Sequence, residues 1–372
     1  MDPHIERNDT DDDSFGFTLS GVNVSLANAI RRVILSDIPL VIFRTTPNEK
    51  NKCNILTNTS RLNNEIIKQR LSCIPIHIKD VDDFPLKNYV MEVNVENTTD
   101  TLLYVTTENF TIKDKNSGKY LPDSKVREIF PADDTTGYFI DFVRLRPRIS
   151  DEIPGEKLHL TCDFDIGSAN EDGMFNVVST CSYGYTIDVA LQDAALARQR
   201  QTWKDEGKKE NEIEFESKNW KLLDGKRITK NDSFDFVIKT VGVYTNHELL
   251  DMACKILIER FDKLDTIIEK DELEIKTSDN TMLNCFDIVL ENEDYTIGKV
   301  LEYLLLSKFY EKNILSFCGF KKMHPHDDYS LIRIAYYQPV EISTIKGNIK
   351  ECISDAVEIY KRLYKEFSRF VK

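Results

Sequence analysis

FGFTLSGVNVSLANAIRRVILS, residues 15–36, and FDIVLENEDYTIGKVLEYLLLS, residues 286–307, decide the fold. Laid over each other with Phe15 on Phe286, they match without a gap. Phe17 falls on Ile288, Leu19 on Leu290, Ser25 on Thr296 and Leu26 on Ile297. Ile30, Val33 and Ile34 fall on Leu301, Leu304 and Leu305. Each stretch reads as a short alternating strand, a polar turn with a hydroxyl residue, and an amphipathic helix. A unit repeated near both ends of one chain predicts two related domains that can pack on each other.

Outward from these copies, the first thirteen residues hold five aspartates and are expected to be a disordered acidic tail. Leu26, Ala29, Ile30, Val33 and Ile34 recur at helical spacing over Val24–Asp37, and Pro39 closes that helix. A second short helix is expected over Asn63–Cys73. Residues 77–231 change texture. Alternation at Tyr89–Val95, Leu102–Val105, Phe139–Leu145, Lys157–Phe164 and Phe175–Ser182, broken by Asp, Asn, Gly and Pro, predicts a sheet-rich insert. Its end, Asp193–Asn231, is highly charged and reads as part helix, part exposed linker.

Strand-and-helix patterning then returns. Phe234–Val241 alternates, and a helix from Asn246 to Ile268 carries Leu249, Ala253, Ile256, Leu257, Leu264 and Ile267 on one face. The last helix is expected from Asn348, with Glu351 at capping-box spacing. Its stripe runs through Ile349, Cys352, Ile353, Ala356, Tyr360, Leu363, Phe367 and Phe370. Each half therefore ends in a long helix with more apolar face than its own small sheet can cover. Leu249, Ala253, Ile256 and Leu257 are expected to meet Ile353, Tyr360, Leu363 and Phe367 in an internal interface.

The 372 residues are 41% hydrophobic and 30% charged, with a net charge of −14. That length predicts two or three domains, and the acidity argues against a protein whose main task is gripping nucleic acid. No apolar run approaches the roughly 20 residues that span a bilayer. The eight cysteines include no CxxC pair, so they read as free thiols and no metal site is expected. His324-Pro325-His326-Asp327-Asp328 reads as a polar turn. There is no P-loop, GxSxG, HExxH or paired DxD, so neither a catalytic residue nor a cofactor site is assigned.

Residues 17–43, FTLSGVNVSLANAIRRVILSDIPLVIF, resemble the alpha-type subunits of cellular RNA polymerases through Leu26, Ala27, Asn28, Arg31, Arg32 and Pro39. NEIIKQRLSCIPI, residues 64–76, is similar to the same family's second short helix, with Arg70, Leu71, Ile74 and Pro75 in place. Residues 153–185 look like its strand–loop–strand segment. The last hundred residues resemble instead the eleventh subunit of eukaryotic RNA polymerase and its archaeal counterpart, through Glu293, Asp294, Thr296, Gly298, His324 and Pro325. Tyr295 and Lys299 depart from that pattern, where histidine and asparagine are usual, which puts in question how this helix start docks.

The resemblance implies an α+β chain holding two alpha-type dimerisation domains that pair internally as a pseudo-dimer, with a sheet-rich insert in the first. The first, third-largest-subunit-like, would take 14–76 and 232–270, the insert and charged linker 77–231, and the eleventh-subunit-like domain 281–372. Such fused chains are a feature of large DNA viruses. The implied function is a non-catalytic assembly platform of a DNA-directed RNA polymerase, intracellular in host cytoplasm or nucleus, or packaged in the virion. The implied partners are the largest and second-largest subunits and small subunits of the tenth and twelfth types, with little nucleic-acid contact. Asn28, Arg31 and Arg32, opposite the apolar stripe, would dock the second-largest subunit, because the guanidinium fork meets carboxylates bidentately. Asp294, Thr296 and Gly298 would form the helix-start motif of the small-subunit part. A free-standing regulatory or adaptor protein that keeps the dimerisation fold is the alternative.

Overall fold

The computed structural model describes residues 1–7, 14–80, 84–150, 152–279 and 281–369. In chain order the elements begin with β1 (His4–Arg7), β2 (Phe15–Ser20), α1 (Val24–Ser36), β3 (Leu40–Phe43), β4 (Cys53–Asn58) and α2 (Asn64–Ser72). Then come β5 (Tyr89–Glu96), β6 (Leu103–Thr106), β7 (Thr111–Asp114), α3 (Asp123–Ile129), β8 (Asp141–Leu145), β9 (Lys157–Gly167) and β10 (Val178–Ile187). A helical hairpin, α4 (Val189–Asp205) and α5 (Glu210–Leu222), leads to β11 (Thr229–Thr240) and α6 (Asn246–Glu269). The chain ends with β12 (Ile275–Thr277), β13 (Cys285–Glu291), α7 (Tyr295–Leu305), β14 (Leu315–Lys321), β15 (Tyr329–Tyr336) and α8 (Ile342–Arg369).

Two compact units result. One holds 1–34, 180–239 and 246–372; the other holds 35–179 and 240–245. The first contains two four-stranded sheets, ordered β1-β2-β11-β10 and β12-β13-β15-β14. The two orders are the same pattern. In both, an edge strand precedes the repeated strand, the repeated strand pairs antiparallel with a strand from later in the chain, and a long helix follows. The register repeats as well. Phe236 faces Phe17 as Ile332 faces Ile288, and Ile238 faces Phe15 as Ile334 faces Phe286. The helices α6 and α8 begin the same distance beyond those strands.

Each sheet turns its larger apolar side chains inward, as period-two alternation requires. Phe17, Leu19, Phe234 and Phe236 are buried in one, Ile288, Leu290, Ile332 and Ile334 in the other. The helices α6 and α8 run along each other within this unit. Phe261 stacks on Tyr360 at 6.0 Å between ring centroids, and Phe367 meets Phe17 edge-on at 5.5 Å. Lys350 of α8 bonds Glu269 of α6 at 3.0 Å. Among the expected interface residues Leu249, Ala253, Leu257, Ile353, Tyr360, Leu363 and Phe367 are buried, and Ile256 is half-buried.

Several expectations need correction. Residues 4–7 are not a disordered tail: His4–Arg7 pairs with β2, Ile5 facing Leu19, and Ile5 is buried. The rest of that expected tail, 8–13, lies outside the described residues, as does Phe370. Asp193–Asn231 is part helix as expected, but the helical part is not followed by a simple exposed linker. Up to Leu222 it folds as the α4–α5 hairpin around its own small core of Leu196, Trp203 and Ile213, with Trp220 against them, and residues 229–231 open β11. Asn348 does not cap α8, which starts at Ile342. Ile345 extends the buried stripe one turn back, and Asn348 donates from Nδ2 to the Tyr336 hydroxyl at 2.9 Å.

The boundary of the sheet-rich part also moves. Residues 40–76 do not join the repeated sheet, because β3 and β4 both pair with β9, Leu40 facing Gly167 and Cys53 facing Cys162. The second unit therefore starts at Leu35, in the last turn of α1. It holds a five-stranded sheet of β3, β9, β5, β7 and β4, with β6 and β8 as a separate pair. Phe43, Phe110, Phe130, Phe142 and Phe164 fill its core. Arg44, nearly buried, is held by Asp165 at 2.5 Å and Glu171 at 2.6 Å.

Candidate functional site: an ion-pair bridge between the two copies

The two helix starts are built alike. After each repeated strand the chain turns through a left-handed residue, Gly21 at φ 74° in the first copy and Asn292 at φ 56° in the second. At Gly21 a Cβ would lie 2.2 Å from the carbonyl oxygen of Asp2, so only glycine fits. Asn292 serves in the second copy because asparagine tolerates that region. Two residues later a side chain caps the helix. Asn23 Oδ1 accepts the Ser25 N–H at 2.9 Å, and Asp294 Oδ1 accepts the Thr296 N–H at 2.8 Å.

What surrounds the caps differs. Arg32 of α1 reaches the start of α7, donating from Nε to the Thr296 hydroxyl at 2.9 Å and pairing with the Asp294 carboxylate. Arg260 of α6 pairs with Glu293 through both Nε and Nη2, the Nε bond at 3.3 Å, and its Nη2 lies 3.9 Å from Asp294. Arg260 and Glu293 are 19% and 16% exposed, so solvent screens this pair less than the Arg32–Asp294 pair, at 32% and 33%. Burial alone would raise the Asp294 pKa. The Thr296 backbone and hydroxyl and the Arg32 charge outweigh it and hold the carboxyl below its ordinary range. Two cations from the first copy thus meet two anions from the second beside one helix N-terminus, where negative charge is favoured.

Gly298 sits one turn into α7, where a Cβ would lie 1.9 Å from the Phe320 ring. The bare backbone is what lets Phe320 of β14 lie on the helix. Tyr295 meets that ring edge-on at 5.1 Å, Lys299 lies 6.0 Å above it, and Glu302 accepts the Phe320 N–H at 3.0 Å. Tyr295 and Lys299 therefore frame Phe320.

The expected docking triad divides. Arg31 donates to Asn28 Oδ1 at 2.9 Å along its own helix, and both are half-buried. Arg32 does not point away from the packed face; it is committed to Asp294 and Thr296. Sequence reading missed Arg260, although a signal existed. It stands three residues after Leu257 on the apolar stripe of α6, where a charge needs a partner. Phe261 was missed too, because the stripe is broad enough to admit it without notice.

A groove of about 660 Å³ on the first sheet of the first unit is lined by Thr18, Thr186 and Asp235, among others, but Asp235 already accepts from both threonine hydroxyls. Among the described residues no group of three or more His, Cys, Asp or Glu converges as a metal cage would require.

Residues 16–261, well over half of the chain, match the RNA polymerase Rpb3/Rpb11 dimerisation domain, and the chain belongs to that family. DNA-directed RNA polymerase subunit Rpo3 of Methanosphaera stadtmanae is 23% identical over 295 residues, covering 72% of this chain and 100% of the relative. DNA-directed RNA polymerases I and III subunit rpac1 of Dictyostelium discoideum is 24% identical over 292 residues, 68% of this chain and 78% of the relative. The Rpo3 subunit of Picrophilus torridus is 26% identical over 276 residues, 68% of this chain and 95% of the relative.

Proposed function

We propose that this chain is a non-catalytic assembly subunit of a multisubunit DNA-directed RNA polymerase, in which a third-largest-subunit-like part is fused to an eleventh-subunit-like part. The observation that carries the reading is the duplicated frame: two sheets of one strand order and register, each followed by a long helix, in one compact unit. The family match covers the first copy, and the second copy, from Cys285 onward, repeats its topology outside the matched span. The halves pair internally as a pseudo-dimer, with Leu249, Ala253, Ile256, Leu257, Ile353, Tyr360, Leu363 and Phe367 at the interface. One chain then supplies what would otherwise need two, at high effective concentration and fixed stoichiometry.

The platform presents one outer face to the second-largest subunit, with Asn28 and Arg31 as docking residues, and another to the largest. Small subunits of the tenth and twelfth types bind alongside. The net charge of −14 fits a subunit that leaves nucleic acid to its partners. No described helix is long and apolar enough to cross a membrane. The reading assigns the chain to the inside of a cell, and the fusion fits a large DNA virus. Affinity purification of the tagged chain from its native source, followed by mass spectrometry, tests it. Large polymerase subunits in stoichiometric amounts are expected; a chain recovered without them would favour the adaptor reading.

A further inference from the structure

The bridge is one-sided. Counted along the repeat, the counterpart of Arg32 is Tyr303, that of Asp294 is Asn23, that of Glu293 is Val22 and that of Thr296 is Ser25. Counted from the starts of α6 and α8, the counterpart of Arg260 is Ala356. The four charges that meet on one side thus have no charged equivalents on the other. Val22 and Ala356 are buried apolar residues. The Thr296 hydroxyl accepts from Arg32, whereas the Ser25 hydroxyl is buried without a hydrogen-bond partner.

We infer that Arg32 and Arg260, set against Glu293 and Asp294, are the residues that make each half choose the other kind of half rather than a second copy of itself. The inference rests on the internal pairing proposed above. Pairing two first halves would set both arginines against Val22, Asn23 and Ser25 in place of Glu293, Asp294 and Thr296. Pairing two second halves would set Glu293 and Asp294 against Tyr303 and Ala356 in place of Arg32 and Arg260. Either mistake removes these ion-pair partners, most costly for Arg260 and Glu293, which are 19% and 16% exposed, and half-buried charge that loses its partner is what rejects a wrong interface. The matched apolar stripes of α6 and α8 do not discriminate in this way, because aliphatic and aromatic surfaces accept one another without regard to sign. Apolar packing supplies the adhesion and the bridge supplies the selection.

Full-length variants test this. R32E/R260E sets acid against acid, and E293R/D294R sets base against base; each alone should lower the yield of soluble monomer at least tenfold. Carrying all four changes in one chain restores opposite charges and should return the monomer to within about twofold of wild type. Coexpressed with different tags, the two double variants should capture one another one-to-one, since the first half of each now suits the second half of the other. A merely structural ion pair gives no such reciprocal capture. Failure of the four-change chain to recover, or absence of mutual capture, overturns the inference. R260Q and E293Q are milder and keep the test decisive if the reversals do not fold. Their combined effect on the unfolding midpoint should be clearly smaller than the sum of the single effects, and simple additivity overturns the inference. All of this is read on the isolated chain, so loss of the large polymerase subunits from a pull-down bears on the assembly reading alone.

Discussion

The two copies share a frame and differ in what interrupts it. In the first, the chain leaves at the end of α1, builds most of the second unit, and returns through β10, the α4–α5 hairpin and β11. In the second, α7 passes to β14 and β15 through short turns. Insertions of very different length are tolerated at one topological position because the strand pairing closes the frame. The connection between the strands does not. The lesson is that the conserved physical object here is a register, Phe236 on Phe17 and Ile332 on Ile288, with a helix laid over each. Everything else is attached to it.

If the copies are held together chiefly by their long helices, the largest effect should come from Tyr360→Ala. Tyr360 is fully buried, stacks on Phe261 and donates to the Leu26 carbonyl at 3.4 Å. Removing a buried aromatic of this size costs about 3–5 kcal/mol. Urea unfolding should show one cooperative transition at a lower midpoint for all of 246–369. A loss confined to the second copy would mean that the copies are independent.

The next effect sharpens the difference between the helix starts. Gly298 falls on Ala27 in the repeat, so one copy accepts a methyl where the other has a phenyl ring. Gly298→Ala should destabilise by about 1–3 kcal/mol through overpacking, and Phe320→Leu in the same chain should recover much of it. Ala27→Gly should cost about 1 kcal/mol, the ordinary price of glycine in a helix. Equal effects at both positions would show that Phe320 yields freely.

Asp294→Asn keeps a capping side chain, as Asn23 does, but removes the charge, and should cost about 1 kcal/mol near neutral pH. The pH dependence has a definite sign. A carboxyl whose folded pKa is depressed contributes stability above its unfolded value of about 3.9. That contribution is lost as pH falls through the lower folded value. The gap between wild type and D294N should therefore close below about pH 4, as read from thermal midpoints across pH 6 to 2. Solvent screening of this part-exposed pair keeps the effect modest. The smallest effect is expected at Arg31→Ala, within about 0.5 kcal/mol of wild-type stability. Under the proposed docking role the same change weakens association with the second-largest subunit by about 2–5 kcal/mol. Unchanged association would make Arg31 a solvated residue.

Residues 15–36 and 286–307 determined by themselves that a strand–turn–helix unit occurs twice. The apolar spacing, the cap residues and the turn residues Gly21 and Asn292 are all local, and local physics acts wherever the pattern occurs. Sequence also carried the stripes of α6 and α8, because a face that is apolar at helical spacing must be covered. It did not carry the second duplication, β11 with α6 against β15 with α8. Phe236 and Ile332, or Arg260 and Ala356, share no residue type, and only hydrogen-bond register makes them equivalent. Nor did it carry the attachment of residues 40–76 to β9, since strand pairing between distant segments leaves no periodic trace in either one. The direction of Arg32 was likewise decided by tertiary structure. A helical wheel ranks faces by hydrophobicity, and an arginine bonded across to Asp294 and Thr296 looks, on a wheel, like one bonded to water.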